Sequence, residues 1–586
     1  MKAARQEKEY DVVVVGSGIA GGITALVLSR INLRVLVVEV SKHPRFAIGE
    51  STLPTTTYII NRLAEKYKIP ELKGLTQYTM SPKAPFLGCT DYAKLGFWFG
   101  LHRDKEELKT EDELYFETLD PPWGPDVHFI REKVDGYLAS LFPKYGVDYS
   151  DRTQVADYSY DAENHICSMK IKKRGEDEEG IRVKSRFVVD ATGHSAFFAK
   201  KFGLAEKPVK SLHTDTRVIY SHFLATQIPS LDEVAGGPSV LLRNTREQGT
   251  MHHCFDGGWI WVIPFDNDTV SVGVTLNNKA CPPAEGLSAE EEFYQVINRF
   301  PTVVKHLDGA KPLRRFVRKD RSQIYAGSVV KDGVLLTPHA AAFVDPLFST
   351  GILMTVSFVR NIAPIMQKCF KSKNFALDQF DVIEKEFFRN VHHIDKIVAG
   401  TIESFRDIRL FRQYWRSWVA GTMYQYVYNG LVRSETDEFS NMGLYGANHD
   451  QFKHDVDELW EILHDSEMPV QEAAERMKIL MDAHWDFAHN APYTGVMEEV
   501  DSKILFKVMF KRAVMFPVLT FYFKRIAPTQ GWLRHIRTTC RFTVNFPLRK
   551  FATDVLKKLG MNETDKERVK RFEDSLYPWY GTTRIK

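Results

Sequence analysis

The first regular pattern along the chain is "YDVVVVGSG" (Tyr10–Gly18), a continuous β-branched run of the kind buried on both faces of a parallel sheet. "IAGGITALVLSRIN" follows with helical spacing and "RVLVVEV" is a second buried run, so the opening residues predict a βαβ unit with a tight glycine turn. Strand-like and helix-like segments alternate to about residue 360. Within them, Thr214–Asn278 is strand-rich, with "FDNDT" turning "WIWVIP" back onto "VSVGVTL". The acidic stretch "KKRGEDEEG" (Lys172–Gly180) lies between two strand-like runs and reads as an exposed hairpin tip. After Gly351, aromatics at three- and four-residue spacing predict helices to about Val432. The pattern is that of an α/β chain: a core over 1–360 with an inserted β-sheet at about 212–280, and a mostly helical region over 361–586.

Composition leaves this picture intact. The 586 residues, 44% hydrophobic and 26% charged, suit an ordinary globular chain of two or three domains. The six cysteines (Cys89, Cys167, Cys254, Cys281, Cys369, Cys540) show no CxxC and no metal-ligand spacing, and read as reduced thiols with no metal site. The N-terminus lacks a signal-like apolar stretch, and no uncharged run approaches the roughly 20 residues of a bilayer span. The expectation is a cytoplasmic protein with no membrane span and no nucleic-acid partner. Charge adds one feature. From Lys503 onward there are 19 Lys and Arg against 6 Asp and Glu, a net +13 within a chain whose total is only +3. That region reads either as a solvated basic surface or as a docking face for an acidic partner such as a carrier protein. Within it, "LFKVMFKRAVMFPVLTFYFKR" is interrupted by Pro517 and reads as a helix over a substrate cavity.

The first chemical motif is Gly16-x-Gly18-x-x-Gly21, directly after a strand and opening a helix. Gly16 permits the turn, Gly18 lets the backbone approach a pyrophosphate, and Gly21 lets the helix pack on the strand. Glu39, at the end of the second strand, is placed to accept from a ribose diol. Four further stretches favour FAD: "FAIGESTLP" with Glu50 and Ser51, "HFIREKVDGYL" with Arg131 and Asp135 on one helical face, "FVVDATGHS", and "GVLLTPHAAAFVDPLFSTG" with Asp345. Their order resembles the FAD-binding, Rossmann-like fold of the aromatic hydroxylases. That resemblance implies that Arg131 approaches the flavin phosphate or ribityl chain, and that the last segment lies along the isoalloxazine. Arg131 is also readable as a surface salt bridge to Asp135.

Trp259-x-Trp261-x-Ile263-Pro264 matches the WxWxIP motif of flavin-dependent halogenases, and Phe343-x-x-Pro346-x-x-Ser349-x-Gly351 matches a second motif of that family. With GxGxxG and "GEST", the resemblance covers about the first 360 residues. It implies FADH₂ supplied by a separate reductase, O₂, chloride or bromide, a flavin C4a-hydroperoxide, and hypohalous acid carried to an electron-rich aromatic substrate. It also implies a barrier of Trp259, Trp261 and Pro264 between flavin and substrate, and a halide at Ser349, Thr350 and Gly351 with the Ile352 amide facing the flavin. A directing lysine on the substrate side is implied as well. Lys94 in "DYAKLGFWFG" fits that lysine because it reads as part of an otherwise apolar, aromatic strand with neighbours Leu95, Phe97, Trp98 and Phe99; Lys83 is a second candidate.

Two departures stand out. Phe348 occupies the position before the Ser-Thr pair where tryptophan-type enzymes carry glutamate, which points to a phenolic, pyrrolic, polyketide-like or carrier-bound substrate. Pro338-His339 stands where related flavoproteins carry Gly-Asp. The alternatives are a single-component FAD-dependent aromatic hydroxylase and a non-catalytic FAD-binding interaction protein.

Overall fold

The computed structural model describes residues 7–76, 90–117, 126–175, 180–226, 228–237, 245–265, 267–427 and 443–484. The four valines Val12–Val15 form the strand expected of a doubly buried run. They pair in parallel with Val35–Val38 on one side and Phe187–Asp190 on the other. Val334–Leu336 and Asp148–Ser150 extend this sheet in parallel, and Val330–Lys331 closes it antiparallel, making six strands. The helix Ile19–Ser29 returns the chain from the first strand to the second, nearly all its residues buried. The acidic tip predicted at Lys172–Gly180 joins antiparallel strands Ile166–Lys173 and Ile181–Ser185, and its residues 176–179 lie outside those described.

The second sheet is larger than the inserted stretch that predicted it. Thr216–Leu224, Thr250–Phe255, Gly258–Pro264 and Thr269–Asn277 supply its centre. Gly96–His102 and Glu113–Glu117 complete one side, and Lys311–Pro312 and Val317–Lys319 the other. Gly96–His102 joins parallel to Thr250–Phe255, a pairing across some 150 residues that no local pattern announces. One face of this sheet carries Trp98, Met251, Ile260, Val262, Val272 and Val274 into a hydrophobic core closed by Phe293, Phe300 and Val303. By strand alternation the opposite face carries Phe97, Phe99, Thr250, His252, Trp259 and Trp261.

Helices Thr350–Ser372, Asp381–Ser404 and Ile408–Val427 follow as expected, with Asp450–His464 and Val470–His484 beyond them. Among the described residues one helical stretch, Leu347–Ser372, is long and apolar enough to cross a membrane, and 72% of its apolar window is buried inside the protein. Cys167, Cys254, Cys281 and Cys369 are free thiols, while Cys89 and Cys540 lie outside the described residues.

The interior also holds imidazoles. His102 Nε2 lies 2.9 Å from His253 Nδ1, and the His253 ring centroid is 5.6 Å from that of His306. His393 Nε2 donates to the Tyr445 carbonyl at 2.9 Å. Burial pushes His102, His252 and His339 down to about 3, and His306 and His393 down to about 4. Such groups stay neutral in the folded chain while their unfolded counterparts bind a proton below roughly pH 6.5. The folded state is therefore fully favoured above that pH and loses stability as the pH falls toward 3. Calorimetry from pH 7.5 to 4.5 should show a falling thermal midpoint with a slope reporting uptake of more than one proton, and a shallower slope in His102→Gln. A midpoint independent of pH would refute this account.

Candidate functional site

The dinucleotide end of the site is built by steric necessity. Gly16 has φ +104°, and a Cβ there would sit 2.4 Å from the Ala191 carbonyl oxygen. A Cβ on Gly21 would sit 1.9 Å from the Gly16 carbonyl oxygen, so only glycine lets the helix start this close to the strand. Gly18, whose backbone precedes the helix, has two guanidinium groups and a carboxylate beside it: a Cβ on it would lie 3.2 Å from Arg45 Nη2, 3.5 Å from Asp135 Oδ2 and 3.8 Å from Arg131 Nη2. The Glu39 carboxylate accepts from the Ser17 amide (2.8 Å), the Ser17 hydroxyl (3.0 Å) and the Ser41 amide (2.9 Å). Burial pushes its pKa up, but Arg45 and these donors outweigh burial and hold it below the usual carboxylate range. Arg131 is no surface ion pair. It is buried, bonds Asp135 at 3.0 and 3.1 Å and the Ile48 carbonyl at 2.7 Å, and so ties the helix Arg131–Ser140 to the "GEST" loop. Open glycine backbone, a free helix N-terminus, two guanidiniums and a ribose-side carboxylate together fit FAD.

Glu50 and Ser51, expected at the cofactor, have side chains engaged with the protein. Glu50 Oε1 lies 2.6 Å from His222 Nε2. Ser51 Oγ accepts from Lys94 Nζ at 2.6 Å and from Ser349 Oγ at 2.8 Å, and lies 2.8 Å from Thr250 Oγ1. This one hydroxyl joins the lysine strand, the second sheet and the turn before the helix Thr350–Ser372.

Trp259 and Trp261 are 1% and 4% exposed, with ring centroids 5.8 Å apart. Both lie on the sheet face turned away from the hydrophobic core. Trp261 donates to Ser271 Oγ at 3.2 Å and lies across the ladder from Gly273, where a Cβ would meet its ring at 2.1 Å. Trp259 packs beside His252, with centroids 5.3 Å apart. Its indole also faces Asp345, whose carboxylate accepts from Thr216 Oγ1 (2.7 Å) and the Leu347 amide (3.0 Å). Burial raises Asp345 to about 6 against these groups. Asp345 thus braces the turn from beneath. Pro264 contributes its carbonyl, which accepts from His128 Nδ1 at 3.3 Å.

The turn itself is strained. Phe348 and Ser349 are consecutive non-glycine residues in the left-handed region, at φ 67° and 56°. Tyr445 Oη donates to the Phe348 carbonyl at 3.3 Å, and the Phe348 ring stacks on Trp418 at 4.4 Å and 7°. Among the described residues no side chain caps the helix that follows, whose first residues are Thr350, Gly351 and Ile352. His339, the departure from Gly-Asp, fills the space beside Gly351, where a Cβ would meet its Nε2 at 2.5 Å.

Lys94 is 0% exposed. It does not share a strand with Phe97–Phe99, because the chain breaks at Leu95, whose amide donates to the Gln248 carbonyl at 2.8 Å. Lys94 ends the strand Thr90–Lys94, opposite Asp126, and the aromatic residues begin the next strand. Its ammonium donates to Ser51 Oγ and, at 2.5 Å, to the Thr52 carbonyl, and lies 3.5 Å from the Phe97 ring centroid. Burial pushes its pKa well below the usual lysine range, with Asp126 opposing. Sequence reasoning missed Asp126, Thr250 and Trp418, which stand in no motif, and gave His128 no role although it opens "HFIREKVDGYL"; the fold sets Asp126 across from Lys94, links Thr250 and His128 to it through Ser51, and packs Trp418 on Phe97. Lys83 and the basic region from 503 lie outside the described residues.

A tryptophan halogenase family model matches residues 11–80 and 117–400 and passes over the segment containing Lys94, whose assignment therefore rests on the geometry. The chain is 32% identical over 421 residues to monodechloroaminopyrrolnitrin halogenase PrnC of Pseudomonas fluorescens, covering 71% of both chains. It is 29% identical over 474 residues to tetracycline 7-halogenase of Kitasatospora aureofaciens, covering 78% of this chain and 83% of that one. The crystal structure of halogenase PltM in complex with phloroglucinol and FAD shares the fold, with a TM-score of 0.74 at 24% identity over 81% of this chain and 96% of that one.

Because the Trp261 ring occupies the space a side chain at 273 would need, Gly273→Ala should cost roughly 1–3 kcal/mol of stability. It should also shift tryptophan emission to the red. Urea titration followed by fluorescence checks both; a parent-like midpoint and spectrum would mean the tryptophan face is loosely packed.

Proposed function

The chain belongs to the tryptophan halogenase family, flavin-dependent halogenases that use FAD, O₂ and a halide, and on that premise we propose that it halogenates an oxygen-bearing, electron-rich aromatic ring through Lys94. The observation that carries this reading is a fully buried lysine hydrogen-bonded through Ser51 to the strained turn at Ser349, beside a lining of aromatic rings. Reduced flavin, O₂ and halide supply hypohalous acid on the flavin side. The chain's own residues do the rest. Ser349 and the amides of Thr350 and Gly351 hold the halide as neutral donors, strong enough to orient an anion without trapping it, with the Ile352 amide turned to the flavin. Trp259 and Trp261 keep substrate and bulk water away from the flavin side. Lys94, with its depressed pKa, receives the hypohalous acid across that wall and presents the halogen to the ring.

The lining argues for the substrate class. Phe97, Phe99, His252, Phe348 and Trp418 present flat faces, with Phe99 stacked on His252 at 4.3 Å. Phe348 offers no carboxylate to activate an indole, so the ring must be activated by its own substituent. The Trp415 indole N–H, beside the Phe99 ring, is buried with no acceptor among the described residues and would serve as a donor to an oxygen on the substrate ring. For a carrier-borne substrate, the basic residues from Lys503 onward supply the docking charge for an acidic carrier.

Incubating the protein with FAD, a flavin reductase, NADH, bromide and a panel of phenols should give products with the bromine isotope doublet by mass spectrometry. Lys94→Ala should lower product by roughly 100-fold or more, while a small diketone scavenger still captures hypobromite. Oxygenated rather than brominated product would make the protein a hydroxylase, and a Lys94→Ala variant as active as the parent would remove the lysine from the mechanism.

A further inference from the structure

Four hydrogen bonds, three of them unused by the proposed halogenation, form a connected chain from Lys94 to a buried histidine and the carbonyl beyond it. Lys94 Nζ to Ser51 Oγ is 2.6 Å, Ser51 Oγ to Thr250 Oγ1 is 2.8 Å, Thr250 Oγ1 to His128 Nε2 is 3.1 Å, and His128 Nδ1 to the Pro264 carbonyl is 3.3 Å. All four side chains are buried, and they come from four separate elements: the Thr90–Lys94 strand, the "GEST" loop, the Thr250–Phe255 strand and the Asp126–Phe129 strand.

The direction of every proton follows from the far end. A carbonyl only accepts, so His128 Nδ1 carries the hydrogen. Burial, followed by the nearby Lys94, holds the His128 imidazole neutral, so its Nε2 is an acceptor. Thr250 must then direct its single hydroxyl hydrogen to His128, and can only accept from Ser51. Ser51 directs its own hydrogen to Thr250, and accepts from Lys94 and Ser349. The chain is polarised from lysine to histidine without a break.

We propose that Ser51, Thr250 and His128 form a proton relay that deprotonates Lys94, converting the ammonium into the neutral amine that accepts halogen. The step moves one proton and no electrons. Lys94 Nζ gives a proton to Ser51 Oγ as Ser51 passes its own to Thr250 Oγ1, and Thr250 passes its own to His128 Nε2. Lys94 becomes a neutral amine and His128 an imidazolium that still donates to Pro264. The amine and hypohalous acid then give an N-halo amine and water, and the N-halo amine and an aromatic C–H give the halogenated ring and the free amine. His128 and Thr250 are positioning and relay residues that touch neither substrate nor cofactor. Other charged groups here act as a fixed background. Asp126 faces Lys94 and favours its charged form, His252 disfavours charge on His128, and the Glu50 carboxylate is committed to His222. The Pro264 end of the tryptophan motif thereby acquires a role, because its carbonyl sets the histidine tautomer and with it the polarity of the whole chain.

The relay rests on the assignment of Lys94, and the test separates the two. Thr250→Val removes the hydroxyl at nearly constant volume, and His128→Gln keeps a hydrogen-bonding side chain that cannot take a proton. Both are compared with the parent, with Thr250→Ser and with Lys94→Ala. Bromination by the holoenzyme is measured from pH 6 to 9.5, and carbamoylation of Lys94 by cyanate, which reacts only with the neutral amine, is measured on the apoprotein by peptide mass. In Thr250→Val and His128→Gln both rates should fall by roughly 10- to 100-fold at pH 7 and recover as the pH rises, since the ammonium must now shed its proton to solvent. Thr250→Ser should restore the parent profile. A uniform fall at all pH values, or parent-like carbamoylation in both variants, overturns the relay. If Lys94→Ala alone abolishes bromination while the two relay variants keep the parent profile, only the relay fails; if Lys94→Ala still brominates, the lysine assignment fails and the relay with it.

Discussion

A lysine side chain with no access to water is destabilising on its own, and the structure around Lys94 is arranged to offset that cost. Desolvating an ammonium costs several kcal/mol unless its protons are met by acceptors and its charge by a counter-charge. Ser51 Oγ and the Thr52 carbonyl take two protons, the Phe97 ring lies under the charge, and Asp126 stands across the ladder. Meeting those demands draws together the "GEST" loop, both short strands of the Lys94 ladder and the Gly96–His102 strand of the large sheet, and Ser51 links them to the Ser349 turn. Removing the lysine would take a donor from Ser51 Oγ and from the Thr52 carbonyl.

The same convergence accounts for the strain next to it. Two successive left-handed residues at Phe348 and Ser349 persist because each is held from a different direction. Tyr445 holds the Phe348 carbonyl, Trp418 holds its ring, Ser51 holds the Ser349 hydroxyl, and Asp345 braces the Leu347 amide from below. The result is a helix that starts at Thr350 with no side-chain cap among the described residues. The large sheet divides its side chains by alternation alone: Ile260 and Val262 of the Gly258–Pro264 strand close a hydrophobic core, and Trp259 and Trp261 lie on the opposite face.

Several features were legible from the sequence because their physical cause is local. The glycine spacing at Gly16, Gly18 and Gly21 reports a turn with no room for a Cβ at its first and last positions, and the structure shows the collisions that enforce it. The buried valine runs report a sheet covered on both faces. Trp259 and Trp261 two apart report a shared strand face, and an isolated lysine among apolar neighbours reports an unusual environment. The reading of Arg131 as a surface pair failed because burial is a property of what packs over a helix, and nothing in "REKVD" tells which side is covered.

The residues that define the working geometry belong to the tertiary structure. Glu50 and Ser51 read as cofactor contacts because their loop follows the second strand of the βαβ unit, yet their side chains are engaged by His222 and Lys94, which enter from other elements of the fold. The break at Leu95, the parallel pairing of Gly96–His102 with Thr250–Phe255, and the meeting of His128 with Thr250 all depend on contacts more than 100 residues apart. Sequence by itself determined which chemical groups are present and which local shapes they adopt, since steric limits and hydrophobic period act over a few residues. Only the packed fold decided which hydroxyl meets which amine, because hydrogen-bond partners are chosen by distance in space.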